Sequence, residues 1–189
     1  MPTRSKIVVL AASNSTTSIN KRLAMHAAKV LQDEFKAPVE IEVLDLNDYE
    51  MHIYSPEREA QGIPQRAQDF YDKLGAADGV ILSLAEYNGS YTAAFKNIFD
   101  WSSRVKMKIS QDRPVMLMAT SMGGRGGMSV LAAAMDAFPH FGASITSNFN
   151  FGPFSEHFDT ETDRLKTPEL ALELRDAIKA FQATLPVTD

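Results

Sequence analysis

The sequence predicts a doubly wound α/β fold: a five-stranded parallel sheet with helices on both faces, a three-layer α/β/α stack. Three observations predict it. Short runs rich in Val, Ile and Leu are apolar throughout instead of alternating, the mark of strands buried on both faces. Segments with apolar residues at helical spacing lie between them. The two kinds of segment alternate along the chain, which implies right-handed crossovers between parallel strands.

The first strand is expected at Lys6–Ala12, followed by a helix with Leu23, Ala27, Val30 and Leu31 on one face. A second strand reads at Val39–Asp45 and a second helix at Gln61–Leu74. Gly79–Leu84 is the third strand, and Phe95, Ile98, Phe99 and Ser102 mark the buried face of the next helix. Pro114–Thr120, a helix over Gly127–Phe138, and a weaker strand at Ser144–Phe149 follow. The last helix carries Leu170, Leu174, Ile178 and Phe181, with Thr167 expected as N-cap and Pro168 at its first position. Two irregular stretches remain, Asn47–Ile63 and Asn150–Lys166, and loops that long in a compact domain are usually functional or mobile.

A chain of 189 residues fits one domain, taken here as 1–189, large enough to bury a substantial core. Hydrophobic residues make up 44% and charged residues 23%, as in soluble globular proteins. The net charge of -5 and the lack of a basic stripe argue against nucleic acid as a partner. With no cysteine there is no disulfide, thiolate nucleophile or Cys-ligated metal. The four histidines (His26, His52, His140, His157) show no metal-ligand spacing. Met51, Met107, Met116, Met118, Met122, Met128 and Met135 read as core filling. Arg4 and Lys6 precede an apolar run, but polar residues follow from Ser13. That run is short for a signal peptide, and no stretch approaches the roughly 18 apolar residues of a membrane span. A cytoplasmic location away from membranes is the expectation.

In an open α/β sheet, ligands bind beyond the carboxyl ends of the strands where strand order reverses. The order 2-1-3-4-5 sets strands 1, 3 and 4 side by side, so three loops share one edge. The first, Ser13-Asn14-Ser15-Thr16-Thr17-Ser18-Ile19-Asn20, runs into a helix. Small hydroxyls around a helix N-terminus can cradle a phosphate. Alone, the loop reads equally well as a Ser/Thr turn with one cap. The second, Ala85-Glu86-Tyr87-Asn88-Gly89-Ser90-Tyr91-Thr92, offers a turn and aromatic surface against which a flat ring can lie. Alone, it reads as a solvent turn with packed tyrosines. The third, Ser121-Met122-Gly123-Gly124-Arg125-Gly126-Gly127, has four glycines in five residues and lets backbone approach a ligand closely. Neither a Walker loop nor a G-x-G-x-x-G fingerprint is present. That all three coincide on one edge is what a ligand site predicts.

These residues carry a resemblance. The run Glu86-Tyr87-Asn88-Gly89-Ser90-Tyr91-Thr92-Ala93-Ala94-Phe95-Lys96-Asn97-Ile98-Phe99-Asp100-Trp101 closely resembles a loop and helix of the NADPH-dependent FMN reductase family, flavodoxin-like proteins that include quinone, chromate and azo-dye reductases. The likeness extends from Lys6 to about Phe181. It implies a flavodoxin-like fold and FMN as cofactor, with Ser13, Ser15, Ser18, Ile19 and Asn20 at its phosphate. Glu86, Tyr87, Asn88 and Gly89 are implied at the ring system, and Ser121, Gly123 and Gly124, in the run that resembles the family's second glycine-rich loop, are implied as further cofactor-binding residues. Three departures stand out: Ser15 where relatives commonly carry an arginine, Ala85 in place of a proline, and Ser55 where an acidic residue often follows the tyrosine matching Tyr54.

The resemblance further implies NADPH or NADH as hydride donor and a small-molecule electron acceptor such as a flavin or quinone, in a ping-pong reaction at one site. The chemistry is borne by the flavin, so no side chain is assigned a catalytic acid or base role. A homodimer or homotetramer is implied, with part of Asn47–Ile63 in the interface. Two other readings stand beside it: a flavodoxin-type carrier that oxidises no nicotinamide, and a regulatory domain that has lost its ligand.

Overall fold

The computed structural model describes residues 4–186. Five parallel strands form the sheet: β1 (Ser5–Ala12), β2 (Val39–Leu44), β3 (Gly79–Leu84), β4 (Pro114–Thr120) and β5 (Ser144–Phe151). Their order is β2-β1-β3-β4-β5, the flavodoxin-like order expected. The principal helices are α1 (Ile19–Asp33), α2 (Gln65–Gly75), α3 (Ala93–Val105), α4 (Met128–Ala137) and α5 (Pro168–Gln182).

Successive strand residues point to opposite faces, and both faces are covered. Val8, Leu10, Leu82, Leu84 and Leu117 meet Phe70 and Leu74 of α2, Phe95 and Ile98 of α3, and Val130 and Leu131 of α4. Ile7, Val9, Ile81, Met116 and Met118 meet Leu23 and Leu31 of α1 and Leu174, Ile178 and Phe181 of α5. This double burial is why β1, β3 and β4 read as unbroken apolar runs. β2 differs. It is an edge strand, Glu40 is exposed, and Glu42 pairs with Lys6 and Lys73, so it alternates as an edge does. β5 runs on to Phe151 because Asn150 and Phe151 still pair with Ala119 and Thr120; nearer its start the register shifts between Val115 and Met116, leaving Thr146 unmatched.

The helix ends have local causes. α1 starts where Ser18 accepts a hydrogen bond from Lys21 N–H at 3.2 Å, and α3 where Thr92 accepts from Phe95 N–H at 3.2 Å. α2 begins later than the sequence indicates, at Gln65, directly after Pro64. Thr167 and Pro168 do open α5, but the Thr167 hydroxyl makes no cap bond; it lies 2.8 Å from His157 Nδ1.

Both stretches expected to be irregular contain short elements. Leu46–Tyr49 is a 3-10 turn and Pro56–Glu59 a single helical turn. Phe154–His157 is another turn, and Phe158–Asp159 pairs with Arg164–Leu165 as a hairpin. The assignment of the methionines to the core needs correction. Met116 and Met118 are buried and Met51 is half-buried, but Met107, Met122, Met128 and Met135 are exposed. Their positions beyond strand ends and on the outer faces of helices, not their side-chain chemistry, decide this.

Candidate cofactor site

The loops after β1, β3 and β4 close on an open cleft of about 320 Å³. Ser13, Ser15, Ser18, Ile19, Asn20, Glu86, Tyr87 and Ser121 line it, joined by Thr17, Ala85, Thr120 and Met122. Of the other residues expected at the site, Asn88 and Gly89 form the tip of the Glu86–Tyr91 hairpin and Gly123 and Gly124 follow Met122 in the third loop, but none of the four is among the residues that line the cleft. Thr17, Ala85 and Met122 lie within the three loops, but sequence reasoning does not single them out as cofactor residues; Thr120, the last residue of β4, lies just outside them, and extending the third loop by one residue toward its strand would have found it.

The β1 loop is folded on its own hydroxyls. Ser13 Oγ accepts from Ser15 N–H at 3.1 Å, and Ser18 Oγ caps α1. Both serines are only 7% exposed, and as acceptors each retains its hydroxyl proton to donate. Among the described residues, the N–H groups of Asn14, Thr16, Ile19 and Asn20 donate to no protein atom. The last two belong to the first turn of a 15-residue helix, where orphan donors and the helix dipole favour an anion.

Among the described residues, no cationic side chain lines the cleft. Lys21 turns away to Asp45 at 2.7 Å, and Arg22 binds Asp163 at 2.6 Å. The bond to Lys21, then the Asn47 backbone N–H, holds the Asp45 carboxyl below the usual range. Arg125 reaches Ser129 Oγ at 3.2 Å instead. A phosphate here must be held by N–H and hydroxyl donors.

Two residues expected at the cofactor have their side chains committed elsewhere. Asn20, 2% exposed, donates from Nδ2 to the Thr120 carbonyl at 3.0 Å; its Oδ1 accepts from Thr120 N–H at 3.0 Å and Ser83 Oγ at 2.8 Å. It ties the start of α1 to the ends of β3 and β4, so only its main chain is free for a ligand. Glu86 Oε2 accepts from Val130 N–H of α4 at 2.9 Å.

Asn88 and Gly89 both have positive φ, 52° and 76°, and Tyr87 pairs with Ser90, as in a two-residue primed turn. The hairpin presents the half-exposed Tyr87 ring at the cleft. In the third loop, the glycines divide by role. A Cβ on Gly126 would collide with the Phe151 carbonyl, and one on Gly152 with the Gly123 carbonyl, so those glycines serve backbone packing against the end of β5. A Cβ on Gly124 would meet nothing within 4 Å; that side of the loop is open.

Beside the cleft, Met51 to Tyr54 is pinned to α3. Asn97 Oδ1 accepts from Tyr54 N–H at 2.9 Å, and its Nδ2 donates to the Met51 carbonyl at 3.0 Å. Trp101, fully buried, donates Nε1–H to the His52 carbonyl at 2.9 Å. Ile53 is left 78% exposed. Among the described residues there is no cluster of His, Asp or Glu able to hold a metal, and no helix long and apolar enough to cross a membrane.

Residues 5–156, more than half of the chain, match the NADPH-dependent FMN reductase family. The chain is 25% identical over 179 residues to the NADH:(hydroxy)cinnamate reductase subunit CrdA of Vibrio ruber, across 92% of this chain and 84% of that one. It is 26% identical over 127 residues to a quinone reductase of Escherichia coli K12, across 67% of this chain and 65% of the relative. Its fold is similar to that of FerB, a flavoenzyme NAD(P)H:(acceptor) oxidoreductase from Paracoccus denitrificans, with a TM-score of 0.72 and 22% identity over 95% of this chain and 96% of that one.

Proposed function

From the premise that this chain belongs to the NADPH-dependent FMN reductase family, we propose that its cleft holds FMN and passes electrons from a nicotinamide to a small quinone-like, azo or flavin acceptor. The protein is an FMN-dependent NAD(P)H oxidoreductase of flavodoxin-like fold.

The observation that carries the placement is the β1 loop: four unpaired N–H groups and two buried hydroxyls around one helix N-terminus, at the edge where the hairpin and glycine loop also meet. These donors fit a phosphomonoester. Ser13 and Ser18 hydroxyls with the Ile19 and Asn20 N–H groups hold it, and helix dipole replaces the missing arginine. Tyr87 and the backbone of the hairpin and of 121–124 wall the ring. Bound FMN supplies the redox chemistry, accepting a hydride equivalent from NAD(P)H and returning the electrons to the acceptor.

The residues around it bind and orient. Glu86, the one carboxylate among the described residues that line the cleft, is held by an α4 backbone N–H. Proton exchange is therefore left to solvent entering the open cleft. We place the protein in the cytoplasm as a homodimer or homotetramer, with the exposed Ile53 and the Asn47–Ile63 segment in the contact.

Anaerobic addition of NADPH or NADH to the FMN-loaded protein tests this reading. Loss of the visible flavin absorbance with no second protein present, and its return on adding a quinone, is expected. Bleaching that requires a partner reductase would make the chain a flavodoxin-type carrier.

A further inference from the structure

α4 has no cap of its own. Its N-cap is Gly127, in the left-handed region at φ 76° and without a side chain to offer. The first-turn donor Val130 N–H is satisfied from outside the helix, by Glu86 Oε2 at 2.9 Å, 44 residues away in sequence. This bond joins two of the three loops that form the cleft. Glu86 is the first residue of the hairpin whose next residue, Tyr87, faces the cleft, and Val130 lies three residues beyond the glycine loop. The other end of the hairpin is fixed differently: Tyr91 stacks on Phe138, beyond the far end of α4, with ring centroids 6.1 Å apart. Tyr91 and the Thr92 hydroxyl, which donates to the Ala12 carbonyl at 2.9 Å, keep that end of the hairpin on the domain; the Glu86 side chain ties the cleft-side strand to the start of α4.

We propose that Glu86 is a positioning residue for the flavin ring, acting through its hydrogen bond to Val130 N–H and not by touching the cofactor with its carboxylate. The inference rests on FMN occupying the cleft. The Glu86 side-chain oxygen satisfies a first-turn donor that the helix leaves without an internal partner, and its reach fixes the distance between the hairpin and α4. Released from it, the hairpin loses its register with the glycine loop, and a flat ring between them loses one fixed wall. The β1 loop, held by Ser13, Ser18 and Asn20, is not affected.

That separation of subsites gives the test. Dissociation constants of FMN and of riboflavin, which lacks the phosphate, are measured by flavin fluorescence quenching for wild type, E86A, E86Q and E86D, with visible circular dichroism of the bound flavin. E86A is expected to weaken both ligands by the same factor, about tenfold, and to reduce the induced dichroism. Gln keeps an acceptor oxygen at the same reach and should lie within a few-fold of wild type. Asp keeps the charge but is shorter by about 1.5 Å, cannot reach Val130 N–H, and should resemble Ala. The ranking Glu ≈ Gln, then Asp ≈ Ala, is decided by E86Q and E86D even if E86A fails to fold. The reverse, with Asp normal and Gln impaired, would show that charge matters and not the bond, and would overturn the proposal. So would wild-type affinity and dichroism in both E86A and E86D, which would make Glu86 a helix cap only. A wild-type protein that binds neither flavin would instead refute the cleft as the cofactor site.

Discussion

Asn20 and Thr120 are joined by a reciprocal pair of hydrogen bonds, Nδ2 to the Thr120 carbonyl and Thr120 N–H to Oδ1, both at 3.0 Å. Ser83 Oγ completes the set at 2.8 Å, so one side chain fastens the phosphate-facing helix to two strand ends. Truncation in N20A leaves the Thr120 N–H and carbonyl and the Ser83 hydroxyl unpaired in the interior. Each such group costs about 1–3 kcal/mol, partly relieved by entering water. A loss of about 3 kcal/mol, lowering the melting temperature by about 10 °C for a chain of this size, is expected in scanning calorimetry. A shift under about 2 °C would mean that this junction contributes little.

Glu42 gives the fold a pH-dependent contact. Its carboxylate lies 2.6 Å from Lys6 Nζ and 2.5 Å from Lys73 Nζ. The bond to Lys6, then that to Lys73, lowers its pKa from 4.5. Because the folded pKa lies below the unfolded one, the contribution is complete above about pH 4.5 and is lost as pH falls through the folded value. Glu42 is 22% exposed and its lysine partners 31% and 45%, so water screens the contact and its size is about 1 kcal/mol. Urea unfolding of wild type and E42Q should differ by that amount near neutral pH and converge in acid, once the pH is below the lowered folded value. A difference that persists unchanged in acid would mean that the substitution acts through packing.

The parts of this architecture that were legible in the sequence are those with local causes. β1, β3 and β4 could be read because double burial demands unbroken apolar residues; the Ser18 and Thr92 caps that start α1 and α3 are equally local, but sequence reasoning does not assign them, and Thr167, the cap it does assign, makes no side-chain cap bond. The three loops could be brought to one edge because the flavodoxin-like order expected for this chain is the one observed; alternation by itself fits other doubly wound orders as well. The roles of Asn20 and Glu86 were not legible. Their partners lie 100 and 44 residues away, and an Asn or Glu in a loop looks the same in sequence whether it meets a ligand or an N–H group. The same holds for Asn97 and Trp101, whose hold on Met51 to Tyr54 spans more than 40 residues. The glycine loop was half legible: its backbone approaches closely, but at Gly126 the partner is Phe151 of the protein itself.

The nicotinamide and the acceptor are proposed to use one open cleft in turn. Initial rates of quinone reduction, with both substrates varied, should give parallel double-reciprocal lines. Intersecting lines would require a ternary complex and a separate nicotinamide site.

Ile53 is 78% exposed on a segment held rigidly by Asn97 and Trp101, which suits a subunit contact. Wild type should scatter light as a dimer or tetramer at micromolar concentration. I53E should shift it toward monomer with little change in melting temperature of the isolated chain, since the side chain touches solvent there. A wild-type monomer would exclude this assembly.

The most direct measurement of the central claim, that the β1 loop cradles the FMN phosphate, compares FMN with riboflavin. Among the described residues the cleft offers no cationic side chain, so the phosphate is held by N–H groups and by the Ser13 and Ser18 hydroxyls. Hydrogen bonds to a charged group contribute roughly 1.5–3 kcal/mol each. Losing two or three, with donors left unpaired, costs on the order of 4 kcal/mol, about a thousandfold in affinity. The S13A/S18A double variant should lose much of that preference. It should also melt lower, because Ser18 caps α1 and a lost cap costs about 1 kcal/mol. Fluorescence titration of both flavins should show FMN bound about a thousandfold more tightly than riboflavin by wild type; equal affinities would show that the loop is only a helix cap and that the cofactor site lies elsewhere.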